Sequence, residues 1–165
     1  MRETVVLRAT ILVALLVAAN APESDAQFVK DWHAVTSGHF ELISRYDPVN
    51  MGKLLQELEW VRAVFVTNLA FQSKNDRPVL IYLPDSPYDY EQTSPSKHSD
   101  GYYLAAPFRD VIVLRSFAGA RAGLFHEYSH LMLNHHMGPR LPGWFNEGTA
   151  EYFAMMRKTK DGVEA

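Results

Sequence analysis

One helical pattern, Ala118 to Met137, restricts the fold more than any other segment of the chain. Leu124, Phe125, Tyr128, Leu131, Met132 and Leu133 place apolar side chains on nearly every side of it. Such a helix belongs inside a protein rather than on its surface. Gly138-Pro139 marks its end, because glycine suits the cap and proline cannot continue the helix. Within this apolar stretch stands His126-Glu127-Tyr128-Ser129-His130. Histidines at this spacing project from one helical face, one turn above the other, so both imidazoles reach a common point. A buried Glu127 between them is costly unless positive charge compensates it. A divalent cation does so directly, and the spacing is that of a zinc hydrolase, in which the glutamate deprotonates a metal-activated water.

The chain has 165 residues and no cysteine, so a metal must be held by His, Asp, Glu or water, and no disulfide is available. Its 47% hydrophobic and 21% charged residues are ordinary for one globular domain. A formal net charge of -3 without blocks of like charge argues against nucleic acid as a partner and gives no reason to expect an anionic membrane surface. At the N-terminus, Arg2 and Arg8 flank the start of an apolar stretch, Ala9 to Ala19, followed by polar residues ending Ser24-Asp25-Ala26. This is the pattern of a signal peptide over residues 1–26, with an apolar core well short of the about 20 residues a spanning helix needs. The remaining chain is expected outside the cytoplasm, in the periplasm or cell envelope or secreted, with no membrane association required after cleavage.

His39 to Arg45 alternates and predicts a strand. Pro48 opens a long helical pattern in which Met51, Leu54, Leu55, Leu58, Val61, Val64, Phe65 and Leu69 share one face. Pro78 to Leu83 is a wholly apolar run and predicts a central strand. Pro84 to Ser99 predicts a surface loop with one short helical turn near Tyr88 to Gln92. Gly101 to Ala105 and Val111 to Leu114 predict two strands around a turn. After the histidine helix, Pro142 starts another helix expected to run to about Lys158. The class is α+β: a small, mostly antiparallel sheet packed on a long helix, followed by the histidine helix and a second helix.

Two residues compete to be the third ligand. His136 follows His130 at the spacing one zinc protease class uses, but that class needs a glycine where Leu133 stands, so that the chain turns back to the metal. Glu147, in Gly143-Trp144-Phe145-Asn146-Glu147-Gly148-Thr149-Ala150-Glu151-Tyr152-Phe153, is the better candidate. It sits one turn into a helix that can fold back against the first, and it completes a His-His-Glu site with one position open for water. Glu151 lies one turn further on the same face, placed to accept the free ring N–H of a ligating histidine. The Asn146 amide is a candidate for similar work. Trp144, Phe145, Tyr152 and Phe153 fit core positions at this spacing.

The His126–His130 and Asn146–Tyr152 segments together resemble the gluzincin metallopeptidases, and most nearly the peptidase MA-like domains of exported bacterial proteins. The resemblance implies zinc bound by His126, His130 and Glu147, Glu127 as general base, and Glu151 supporting a ligand. It extends more weakly to the Trp32–Phe65 stretch and the paired strands, which suit a small sheet ahead of the active-site helix. It also implies that an edge strand, here Gly101-Tyr102-Tyr103-Leu104-Ala105, pairs with an extended peptide substrate; an ordinary hairpin fits these residues equally well. Sixteen residues separate His130 from Glu147, slightly fewer than in the aminopeptidases of the group. Gluzincins also continue into a helical region that supplies an oxyanion-stabilising Tyr or His, whereas this chain stops soon after the glutamate helix, as a fragment or reduced domain over residues 27–165 would. Tyr102, Tyr103, His135 and Arg140 are the available substitutes, and each also fits an ordinary core or surface role.

The expected function is zinc-dependent peptide-bond hydrolysis. One alternative is a non-catalytic, zinc-stabilised binding module of the cell envelope, and another is a metal-free structural domain. Zinc content and Glu127-dependent proteolysis separate the three.

Overall fold

A computed structural model describes residues 32–71, 77–96, 99–106, 108–159 and 162–164. The expected signal peptide, residues 1–26, lies outside the described residues. Among those described, no helix is long and apolar enough to cross a membrane.

β1 (His33–Thr36) and β2 (Phe40–Ser44) form an antiparallel pair, with His33 opposite Ser44 and Thr36 opposite Glu41. β2 alternates as its sequence predicts: Phe40, Leu42 and Ser44 are buried, while Glu41 and Ile43 are only partly covered. α1 (Pro48–Ala63) begins where Pro48 predicts, since proline suits the first turn. The Asp47 side chain caps it by accepting the Asn50 N–H at 3.0 Å. Met51, Leu54, Leu55, Leu58 and Val61 form its buried face. The helix then widens into a π-turn, Val64–Asn68, which buries Phe65. That wider winding rotates the following residues off the apolar face, so Leu69, expected on it, is 43% exposed.

α1 carries the chain from β2 to β3 (Val79–Tyr82), which pairs parallel to β2 on one side and parallel to β5 (Val111–Leu114) on the other. A connection of helical length is what a parallel pair requires. β3 is central, and Val79, Leu80 and Ile81 are all buried, as an unalternating apolar run predicts. α2 (Pro87–Thr93), capped by Ser86, occupies the segment expected to be loop with one helical turn. β4 (Gly101–Leu104) pairs antiparallel with β5, giving the order β1-β2-β3-β5-β4. The sheet therefore has parallel inner pairings and antiparallel outer ones, and β4 is an edge. With the helices this makes the α+β class expected from the sequence.

α3 (Ala120–Met137) ends at Gly138, whose φ of +85 is a conformation glycine adopts freely. α4 (Gly143–Met155) starts just after Pro142, whose carbonyl accepts the N–H groups of Phe145 and Asn146 at 3.0 Å. It ends at Met155 and not near Lys158. Lys158 belongs instead to β6 (Arg157–Thr159), which pairs with β7 (Gly162–Glu164) in a separate two-stranded sheet.

The core joins one face of the sheet to α1, α3 and α4. The Phe40 and Tyr128 rings meet edge-on at 5.2 Å, and Phe65 stacks on Phe153 at 4.1 Å. Leu124, Phe125, Leu131, Met132 and Leu133 of α3 are each no more than 1% exposed. α3 is thus enclosed as its apolar circumference predicts, and the histidine motif is held on a rigid element.

Candidate metal centre

One turn of α3 separates His126 from His130, and their Nε2 atoms face each other at 3.0 Å. α4 packs against α3 and brings Glu147 to them. Its Oε2 lies 3.5 Å from His126 Nε2 and 3.6 Å from His130 Nε2. These three atoms converge as one ligand set. Tetrahedral coordination at ~2.0–2.2 Å places ligand atoms about 3.3–3.6 Å apart; the two carboxylate-to-ring separations of 3.5 and 3.6 Å fit that range, and the 3.0 Å between the rings is shorter. The 3.0 Å separation of the two rings suits a hydrogen bond between them when one nitrogen carries a proton. His130 is 8% exposed, whereas Glu147 is exposed, so the set opens toward solvent on the α4 side.

Electrostatics favours a neutral, lone-pair-bearing imidazole at His126. Burial, then the neighbouring His130, lower the pKa of His126, while Glu151 and Glu147 oppose the shift. Glu151 Oε1 lies 3.5 Å from His126 Nδ1, the side of the ring away from Glu147. A proton held there leaves the Nε2 lone pair facing the ligand set. His130 Nδ1 has no such support: it is buried without a hydrogen-bond partner among the described residues.

Glu127 is held by the sheet as well as by its own helix. The nearby Tyr103 backbone N–H of edge strand β4 favours its ionised form. Burial pushes its pKa up to about 7, with the Glu147 charge adding to the shift and the Tyr103 N–H opposing it. The approach of β4 depends on Gly101. A Cβ there would lie 3.0 Å from Glu127 Cγ, 3.1 Å from Leu114 Cδ2 and 3.3 Å from the Val113 carbonyl oxygen. These are distances that real side chains avoid, so the strand comes this close because residue 101 has no side chain.

The other residues singled out in the sequence divide clearly. Asn146 is half-buried in the first turn of α4 and lies outside both the ligand set and the cleft beside it. His136 stacks on Phe71 at 4.2 Å and is not part of the set. Tyr102 is buried, its hydroxyl donating to the Thr93 carbonyl at 3.3 Å. The Tyr103 ring stacks toward His130 with centroids 6.4 Å apart, and its side chain hydrogen-bonds to Asn134. His135 is buried against Asp110, Nε2 to Oδ2 3.2 Å. Arg140 is exposed. None of these four substitutes for an oxyanion donor lines the cleft.

The cleft has a volume of about 560 Å³ and joins the ligand set to the sheet. His126, Glu127, Glu147 and Glu151 form one end; Gly101, Leu114 and Arg115 contribute from the strands. Arg115 was not among the residues marked in the sequence; its guanidinium pairs with Glu91. A lone arginine just after an apolar strand carries no pattern that would have marked it. Comparison with protein-family models, curated proteins and solved structures finds no match to this chain.

Proposed function

We propose that this protein is an exported zinc-dependent peptidase that hydrolyses peptide bonds with Glu127 as general base. The reading is carried by the convergence of His126 Nε2, His130 Nε2 and Glu147 Oε2 within 3.0–3.6 Å of one another, beside Glu127 and an open cleft. Two imidazoles and one carboxylate are the donor set of a catalytic zinc site, which keeps one position for water.

When bound, the cation supplies Lewis acidity to a water and to the substrate carbonyl. Glu127 is placed to take the proton of a water that attacks the carbonyl carbon. The same carboxyl then gives the proton to the departing amine as the C–N bond breaks. Burial and the Glu147 charge bring the Glu127 pKa up to about 7, so the carboxyl is divided between its two forms at neutral pH; positive charge between the imidazoles favours the ionised form a base needs. Glu151 holds the His126 ring through Nδ1. Edge strand β4 lies against Glu127 at Gly101, and its place at the edge of the sheet suits pairing with an extended peptide. Substituting Glu127→Gln should leave zinc content at one per chain and abolish cleavage of an unfolded protein such as casein. Cleavage equal to that of the parent rules this mechanism out.

A second reading has an observation in its favour. Tyr102, Tyr103, His135 and Arg140 all stand outside the cleft, which suits a non-catalytic, zinc-stabilised module of the cell envelope. That reading expects zinc with no Glu127-dependent cleavage.

A further inference from the structure

We infer that the cleft beside the histidines selects substrate, receiving a bulky, non-acidic side chain next to the bond that is cut, and that Gly123 keeps it open. This rests on the peptidase reading. The cleft volume, about 560 Å³, lies in the range of ~300–1,000 Å³ typical of pockets that enclose a compact ligand group.

The space arises from α3 itself. Gly119, Ala120, Ala122 and Gly123 line the cleft on the two turns that precede His126 and Glu127. At 5.4 Å per turn this wall extends roughly 11 Å from the ligand set. No residue on it carries more than a methyl group. Glycine weakens a helix interior relative to alanine, so Gly123 trades helix stability for room. A Cβ built there meets Leu114 Cδ2 at 3.6 Å and nothing nearer. Leu114 is itself a lining residue, so a longer side chain at position 123 would run along the cleft wall without breaking the core.

Charge decides which bulky groups enter. Glu127 and Glu147 face the ion that the peptidase reading requires, so Asp100 and Glu151 set the charge of the remaining wall, and Arg115, its lining cation, is paired with Glu91. A carboxylate side chain entering it meets like charge, whereas an aromatic or basic one does not.

The test separates binding from turnover. In zinc-loaded Glu127→Gln protein, calorimetry would measure the Kd of peptides with Ala, Phe, Arg or Asp placed in turn on either side of one bond. Phe and Arg peptides should bind at least about tenfold tighter than Ala, and Asp weaker than Ala. Adding Gly123→Leu, with folding checked by thermal unfolding, should bring Phe and Ala within about twofold. Equal binding of Phe and Ala by the Gly123 protein, or an unchanged preference in folded Gly123→Leu, overturns the inference. Cleavage by the Glu127 protein is scored separately. Cleavage without discrimination removes the cleft assignment and leaves the peptidase, whereas discrimination without cleavage removes the peptidase and leaves the cleft.

Discussion

Replacing Gly101 with alanine tests whether the sheet positions Glu127, the proposed general base. The new methyl group would sit 3.0 Å from Glu127 Cγ, 3.1 Å from Leu114 Cδ2 and 3.3 Å from the Val113 carbonyl oxygen. Carbon atoms in good contact lie ~3.5–4.0 Å apart, so three neighbours must yield by several tenths of an ångström. The leucine methyl can rotate aside; the Val113 backbone is fixed in the β4–β5 ladder. Overpacking of this kind costs about 1–3 kcal/mol. The lower entropy of an unfolded alanine returns about 0.4–1 kcal/mol. The net loss lies between about 0 and 2.6 kcal/mol with a middle near 1.3 kcal/mol, which lowers Tm by roughly 3–5 °C for a domain of this size. His126, His130 and Glu147 make none of these contacts, so zinc content should be unchanged. The Glu127 side chain should shift by a few tenths of an ångström. Since a 1 Å misplacement costs about 100-fold, kcat should fall about fourfold. Thermal unfolding, metal analysis and turnover of one peptide read the three effects. Gly123→Ala is the control: its Cβ meets one methyl at 3.6 Å, so helix propensity should raise stability by about 0.5–1 kcal/mol. If Gly101→Ala melts within 1 °C of the parent and turns over equally fast, the close approach of β4 has no consequence and the reasoning fails.

Other expectations concern single side chains. Asp110→Ala leaves His135 buried without the carboxylate now 3.2 Å away, and chemical denaturation should show a loss of about 1–3 kcal/mol. Glu59 offers a pH dependence: burial raises its pKa, but hydrogen bonds from the Ser37 hydroxyl and the His39 ring and N–H outweigh it, so the net shift is downward. A carboxyl lowered on folding contributes stability above its unfolded pKa and loses it as pH falls through the folded value. Glu59→Gln should therefore melt below the parent at pH 7, with the gap narrowing as pH falls below about 4.5; a gap that stays constant or widens as pH falls contradicts the assignment. His136→Ala should leave zinc content unchanged, because the ring lies on Phe71 and outside the ligand set; loss of zinc would return His136 to the candidates.

What the sequence reveals is what local geometry determines. Helical spacing alone puts His126 and His130 together, and the apolar circumference around them fixes α3 as enclosed. Pro48 and Gly138 mark helix ends because proline and glycine act on their own backbone. Other features need the folded chain. Leu69 reads as a buried position until the π-turn at Val64–Asn68 changes the winding. β1 has no alternating signal because only one of its four residues is even partly covered. The β6–β7 hairpin is too short to show a period, and no glycine or proline marks the end of α4 at Met155. Glu147 was favoured from the turn chemistry around Leu133, Pro139 and Pro142, but its distance to the rings depends on α3–α4 packing. The contact between Gly101 and Glu127 depends on sheet register and helix placement together, so no local pattern announces it.

The most direct test of the central claim is zinc stoichiometry with X-ray absorption at the zinc edge, in the parent and in His130→Ala and Glu147→Ala. The expected result is one zinc per chain with two imidazole ligands at ~2.0–2.1 Å and carboxylate oxygen, and at least a tenfold loss of affinity in each folded variant. A parent that binds no zinc, or variants that hold it as tightly as the parent does, would contradict the account.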